Sequence, residues 1–94
     1  VIKEVEAVKW FRKAAEQRHS LAQWTLGGAY LFGDGVIEDK VQAYAWYNIA
    51  AANGDESAKK TKTTVAELMT KEQIAEAQKL SREMIEANPK LMGE

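Results

Sequence analysis

Sliding the chain along itself by 36 residues brings like residues together. Val5 falls on Val41, Ala7 on Ala43 and Trp10 on Trp46. The same shift lays Ala14-Ala15 on Ala50-Ala51, Ala22 on Ala58, and Phe11 on Tyr47. Alanine pairs alone could be coincidence in an Ala-rich chain. Tryptophan occurs only three times, however, and the aromatic pairs share the register of the alanine pairs. A period in the mid-thirties built from two helices is the signature of an α-solenoid, in which small residues let helices approach and one aromatic per unit fills the gap.

The local pattern agrees. Pro occurs once, at Pro89, strand-like alternation is nowhere sustained, and Ala, Glu, Lys, Gln and Leu dominate. A first helix is read over 3–17, with Val5, Val8, Phe11 and Ala15 on one stripe and Ala7, Trp10 and Ala14 beside it. Ser20 with Gln23 reads as a capping box for a second helix, whose inner face is Ala22, Leu26, Ala29 and Tyr30. Gly33-Asp34-Gly35 stops it. Asp39 caps a third helix carrying Ala43, Trp46, Ile49 and Ala50, and Gly54 ends it in a left-handed cap. A fourth helix runs from Asp55 to Leu68 or Met69 through Thr-rich sequence of poor propensity. Thr70 and Gln73 box the start of a fifth, with Ile74, Ala77, Leu80 and Met84 inward and Pro89 beyond its end. The expected class is therefore all-α: about five antiparallel helices in a right-handed superhelix.

Composition narrows the function. Ninety-four residues allow one small domain or a piece of something larger, and 15 of the 43 apolar residues are alanine, which leaves no core for a separate catalytic domain. Thirteen Lys plus Arg against fourteen Asp plus Glu give a net charge of −1, without the basic surplus of a nucleic-acid binder. No Cys is present, so thiolate zinc sites and thiol nucleophiles are excluded. Apolar runs fall far short of a membrane span, so no membrane insertion is expected.

The run Ala22-Gln23, Leu26-Gly27, Tyr30, Gly33-Asp34-Gly35-Val36, Asp39, Ala43, Trp46, Ala50-Ala51, Asn53-Gly54 and Ala58 resembles the Sel-1-like repeat, a relative of the tetratricopeptide repeat. The resemblance implies a single domain over 1–94. Within it, 3–17 would be the second helix of a preceding repeat and 20–54 a complete unit. Residues 55–69 would be a degenerate half-repeat and 70–88 a C-terminal capping helix. Two positions depart from the pattern. Arg18 stands where a Gly is usual, which should strain or shorten that turn, and Lys62-Thr63 stands where Leu-Gly is usual. The family also implies a bacterial adaptor, soluble in cytoplasm or periplasm, that uses no cofactor.

Catalysis needs a nucleophile with a base, paired acids in a pocket, or a metal. His19 is the single His, and one imidazole makes neither a triad nor a zinc site, so it reads as a turn residue. Ser57-Ala58-Lys59-Lys60 matches the Ser-x-x-Lys pattern of penicillin-recognising enzymes, but its Ser-Asp-Asn and Lys-Thr-Gly companions are missing. Asp34, Glu38 and Asp39 lack the spacing of a calcium loop. Trp10, Trp46 and Tyr30 read as packing residues. Trp24 either packs on the preceding helix or faces the concave surface as a ligand contact.

The leading reading is a non-enzymatic protein-interaction module that takes a protein or peptide segment on its concave face. The expected contacts are Gln23, Trp24, Gly28 and Leu31 of the second helix with Lys59, Lys60 and Thr63 of the fourth. Trp24 would be the anchor, Gly28 the gap admitting a partner side chain, and the lysines would favour an acidic segment. The alternatives are a purely structural C-terminal cap of a longer array and, as the enzyme reading, a weak cell-wall or β-lactam hydrolase. The wide apolar arc of 3–17 also implies self-association through that helix, with Val8→Glu as its reporter.

Overall fold

The computed structural model describes residues 2–93. Five α-helices follow one another: α1 Ile2–Ala15, α2 Ser20–Phe32, α3 Lys40–Ala52, α4 Glu56–Ala66 and α5 Lys71–Ala87, closed by a 3-10 turn over Pro89–Met92. No strand occurs among the described residues. Consecutive helices are joined by short turns and run back and forth; α1 packs on α2, and α2, α4 and α5 pack on α3.

The turns are fixed by particular residues. Asp39 accepts the backbone N–H of Gln42 at 3.1 Å and Asp55 that of Ala58 at 2.8 Å, each satisfying a donor that the helix leaves without a partner. Thr70 and Gln73 bond reciprocally, a complete capping box. The turn after α2 needs Gly35: its φ is +80°, and a Cβ there would lie 2.5 Å from the Glu4 carbonyl oxygen. Arg18 adopts φ +72° in place of the glycine usual there, and α1 has already ended at Ala15. A left-handed non-glycine residue costs about 1–2 kcal/mol, so this turn is strained as its sequence implies.

Helix α3 is the hub. Ala43, Tyr44, Ala45, Trp46, Tyr47, Ile49, Ala50 and Ala51 are all buried, because α2, α4 and α5 pack around it. Trp46 and Ile49 join Val8, Ala15, Ala22, Leu26 and Leu91 in one core. Tyr44 and Tyr47 join Val65 and Ala77 in another. Close approach of α2 and α3 depends on Gly27, where a Cβ would meet Tyr47 Cε1 at 2.7 Å.

Several expectations are corrected here. Ser20 and Gln23 form no capping box: α2 begins after His19 with no side-chain cap. Trp10 is not packed but 71% exposed, with Lys13 Nζ 5.4 Å above its ring, whereas its repeat partner Trp46 is buried beneath α2. Val5 and Phe11 of the same stripe are exposed as well. Helix α4 ends at Ala66, before Leu68. The closing turn at Pro89–Met92 was not anticipated, and it contributes Leu91 to the core.

Candidate functional site

Helix α2 carries its core residues Ala22, Leu26 and Ala29 on one side, which leaves Trp24, Gly28 and Leu31 to face α4. Because α4 runs in the same direction as α2, equivalent positions of adjacent units stand side by side. Trp24 pairs in register with Lys60, Thr25 with Thr61, Gly28 with Thr64, and Phe32 with Leu68, each 36 residues apart. All eight line a single groove of about 670 Å³. Its remaining walls are Glu4, Ala7, Val8 and Phe11 of α1, Ala29 and Leu31 of α2, Asp34, Val65 and the Tyr47 ring. The lining is predominantly apolar, and Phe32 and Leu68 are 72% and 62% exposed. Bulky side chains left exposed around a concavity are not serving a core.

Trp24 is held in place at the groove's edge. Its Nε1 donates to Thr61 Oγ1 at 3.2 Å, and that hydroxyl donates to the Ser57 carbonyl at 2.7 Å. The indole therefore spans α2 and α4, with its one polar atom already satisfied. Charge is distributed unevenly around the rim. Lys60 stands beside Trp24 toward the N-terminal end of α2, while Asp34 stands beyond Phe32 at its C-terminal end, where Glu4 of α1 also lines the groove.

Tyr47 supplies the floor. Its side chain is 2% exposed, yet it lines the groove, and a Cβ added at Gly28 would sit 3.5 Å from its hydroxyl oxygen. No hydrogen bond satisfies that hydroxyl among the described residues. Burial pushes its pKa up to about 12, so the group is a neutral O–H at any physiological pH.

Of the expected contacts, the structure brings together Trp24, Gly28, Leu31 and Lys60. Gln23 is corrected: it is fully buried, donating from Nε2 to the carbonyls of Ala15 at 2.9 Å and Leu91 at 3.1 Å while accepting from Asn53 Nδ2 at 2.9 Å. Its place one position before Trp24 turns it into the core. Lys59 and Thr63 are exposed but lie outside the groove. Lys59 pairs with Glu56 at 3.1 Å, and the Thr63 hydroxyl bonds back to the Lys59 carbonyl. Thr61, Thr64, Leu68, Phe32, Phe11 and Tyr47 were missed. Carrying Trp24, Gly28 and Phe32 forward by 36 residues would have found Lys60 and Thr64 on α4 and Leu68 just beyond its end, and separated Lys60 from Lys59.

Ser57 and Lys60 are both exposed in the first half of α4, three residues apart on a solvated helix surface. Among the described residues, no group of three His, Cys, Asp or Glu side chains is placed to hold a metal ion. No described helix is long and apolar enough to cross a membrane.

Comparison with known proteins places this geometry. The Sel1 repeat model matches residues 3–19 and again 20–55. The exopolysaccharide production negative regulator of Rhizobium meliloti (strain 1021) is 41% identical over 51 residues, which is 54% of this chain and 19% of that protein. The protein of the same description from Rhizobium leguminosarum bv. viciae matches to the same extent. A protective antigen of uropathogenic Escherichia coli strains, whose crystal structure displays an SLR fold, superimposes with a TM-score of 0.85 at 37% identity, over 95% of this chain and 20% of that one. The chain thus spans about a fifth of the length of each relative. With family matches over more than half of its residues and a described SLR neighbour over nearly all of them, the chain belongs to the Sel1 repeat family.

Proposed function

We propose that this chain is a protein-interaction module whose groove between α2 and α4 receives a segment of a partner polypeptide, acting by binding and not by catalysis. The observation that carries this reading is the groove itself, a concavity of about 670 Å³ lined by Trp24, Leu31, Phe32 and Leu68 and built from repeat-equivalent positions. Phe32 and Leu68 belong to none of the buried clusters, and Trp24 and Leu31 pack only against the edges of theirs, so each leaves surface open to a partner. The regulator description of the two rhizobial relatives is in keeping with action through a bound partner. Lys60 favours an acidic residue in the segment; Lys59 and Thr63 stand outside the groove and have no part in it.

Peptide-display selection against the chain tests this directly. Enriched peptides should carry apolar anchors and lose at least tenfold in affinity with Leu68→Asp, while Glu83→Lys on exposed α5 leaves binding unchanged. Peptides indifferent to Leu68→Asp and to Lys60→Glu would defeat the proposal.

A second reading is that the chain closes a longer array. It is favoured by α5, whose outward Lys71, Glu72, Glu76, Lys79, Arg82, Glu83 and Glu86 are exposed, as the polar outer face of a terminal cap should be. The two readings are compatible, because the cap uses α5 and the groove uses α2 and α4.

A further inference from the structure

We infer that the Tyr47 hydroxyl is the polar recognition element of the groove: it donates to a main-chain carbonyl of the partner polypeptide beside an apolar side chain that enters at Gly28. This deepens the proposed binding role and rests on it. Three observations converge. The Tyr47 ring is buried in its core cluster and lies against Gly27, where an added Cβ would meet Cε1 at 2.7 Å. Its hydroxyl nevertheless reaches the groove floor beneath Gly28, the one place on this face of α2 where no side chain intervenes. That hydroxyl has no hydrogen-bond partner among the described residues, whereas the Trp24 indole beside it is satisfied by Thr61.

An O–H fixed at the bottom of an apolar concavity discriminates by hydrogen bonding, since an occupant without an acceptor leaves it unpaired. A main-chain carbonyl suits it: every polypeptide segment carries one next to each side chain, and the apolar walls would hold that side chain. Rim charge then sets direction. A segment with an acidic residue toward Lys60 and a basic residue toward Asp34 matches the field along α2. A purely hydrocarbon ligand fills the same walls but forgoes the hydroxyl.

Two small probes separate the contributions. N-acetyl-L-phenylalaninamide offers an aromatic side chain with flanking carbonyls, and toluene offers the ring alone. Binding to the whole chain is read from the Gly28 amide and Trp24 indole resonances. Both probes should shift these signals, and Tyr47→Phe should weaken the amide probe roughly 3–10-fold while changing toluene by less than about twofold. Gly28→Ala, whose added methyl would sit over the hydroxyl at 3.5 Å, should weaken the amide probe more than toluene. If both probes bind and neither substitution separates them, the hydroxyl's role is refuted and the groove stands as an apolar site. If neither probe moves the two resonances, the groove reading itself is overturned, and the hydroxyl's role with it. Amide dispersion in α5, which does not line the groove, verifies that each variant is folded.

Discussion

Gln23 shows how one position separates core from surface on a repeat helix. Its amide bridges three parts of the chain, joining the Ala15 carbonyl at the end of α1, Asn53 at the end of α3 and the Leu91 carbonyl in the closing turn. Asn53 Nδ2 reinforces the last of these at 2.8 Å. A fully buried amide with every polar atom engaged is stabilising only as a unit, because each partner left behind becomes a buried unsatisfied group. Gln23→Ala should therefore cost about 2–3 kcal/mol, read as a lowered urea midpoint, and should loosen the Pro89–Met92 turn toward proteolysis. Tyr47 makes the complementary residue-scale case. Its folded pKa, about 12, is above the ordinary 10. Between those values the unfolded chain has lost the phenolic proton and the folded chain retains it, so stability falls as pH rises from 10 to 12. Tyr47→Phe should flatten that alkaline limb while leaving stability near pH 7 much less altered. An equally steep limb in the variant would assign the loss to other groups.

At the scale of elements, α4 differs from its neighbours. The hydroxyls of Thr61, Thr63 and Thr64 all bond back to carbonyls four residues earlier, satisfying themselves without adding helix propensity. Only Ala58 and Val65 of this helix are buried, against eight residues of α3. Amide exchange in α4 should accordingly be faster than in α2 and α3, by native-state exchange monitored residue by residue. Uniform protection across the three helices would remove the view of α4 as a degenerate half-unit. The helices themselves were legible in sequence because repeat spacing, caps and turn glycines agreed at Asp39, Gly54 and Thr70. Half of the groove was legible too, since Trp24, Gly28 and Leu31 fall off the core stripe of α2. What sequence could not decide was rotation. A helix surface turns by 100° per residue, so Gln23 and Lys59, one position from Trp24 and Lys60, point elsewhere. The closing turn escaped notice because one apolar residue, Leu91, makes no periodic stripe, and its other anchor is a backbone carbonyl, which carries no residue signature.

For the whole molecule the question is what covers α1. On the 36-residue register α1 corresponds to α3, and α3 has α2 packed on the face that holds Trp46. The corresponding face of α1 carries Trp10, 71% exposed, whereas Phe11 lines the groove instead. An apolar side chain left this exposed forgoes on the order of 1.5–3 kcal/mol of burial, which supplies a drive to associate. A further first-type helix on this face would extend the solenoid, and a second copy of the chain could serve in its place. Val8, 6% exposed, already lies in the molecule's own core, so Val8→Glu would unfold the chain rather than report on the surface. Trp10→Glu is the discriminating change, since nothing in either core touches Trp10. The chain should dimerise as concentration rises, and Trp10→Glu should keep it monomeric with an unchanged denaturation midpoint. Light scattering that finds only monomer at high concentration, before and after the substitution, would show that this face is stable when left bare.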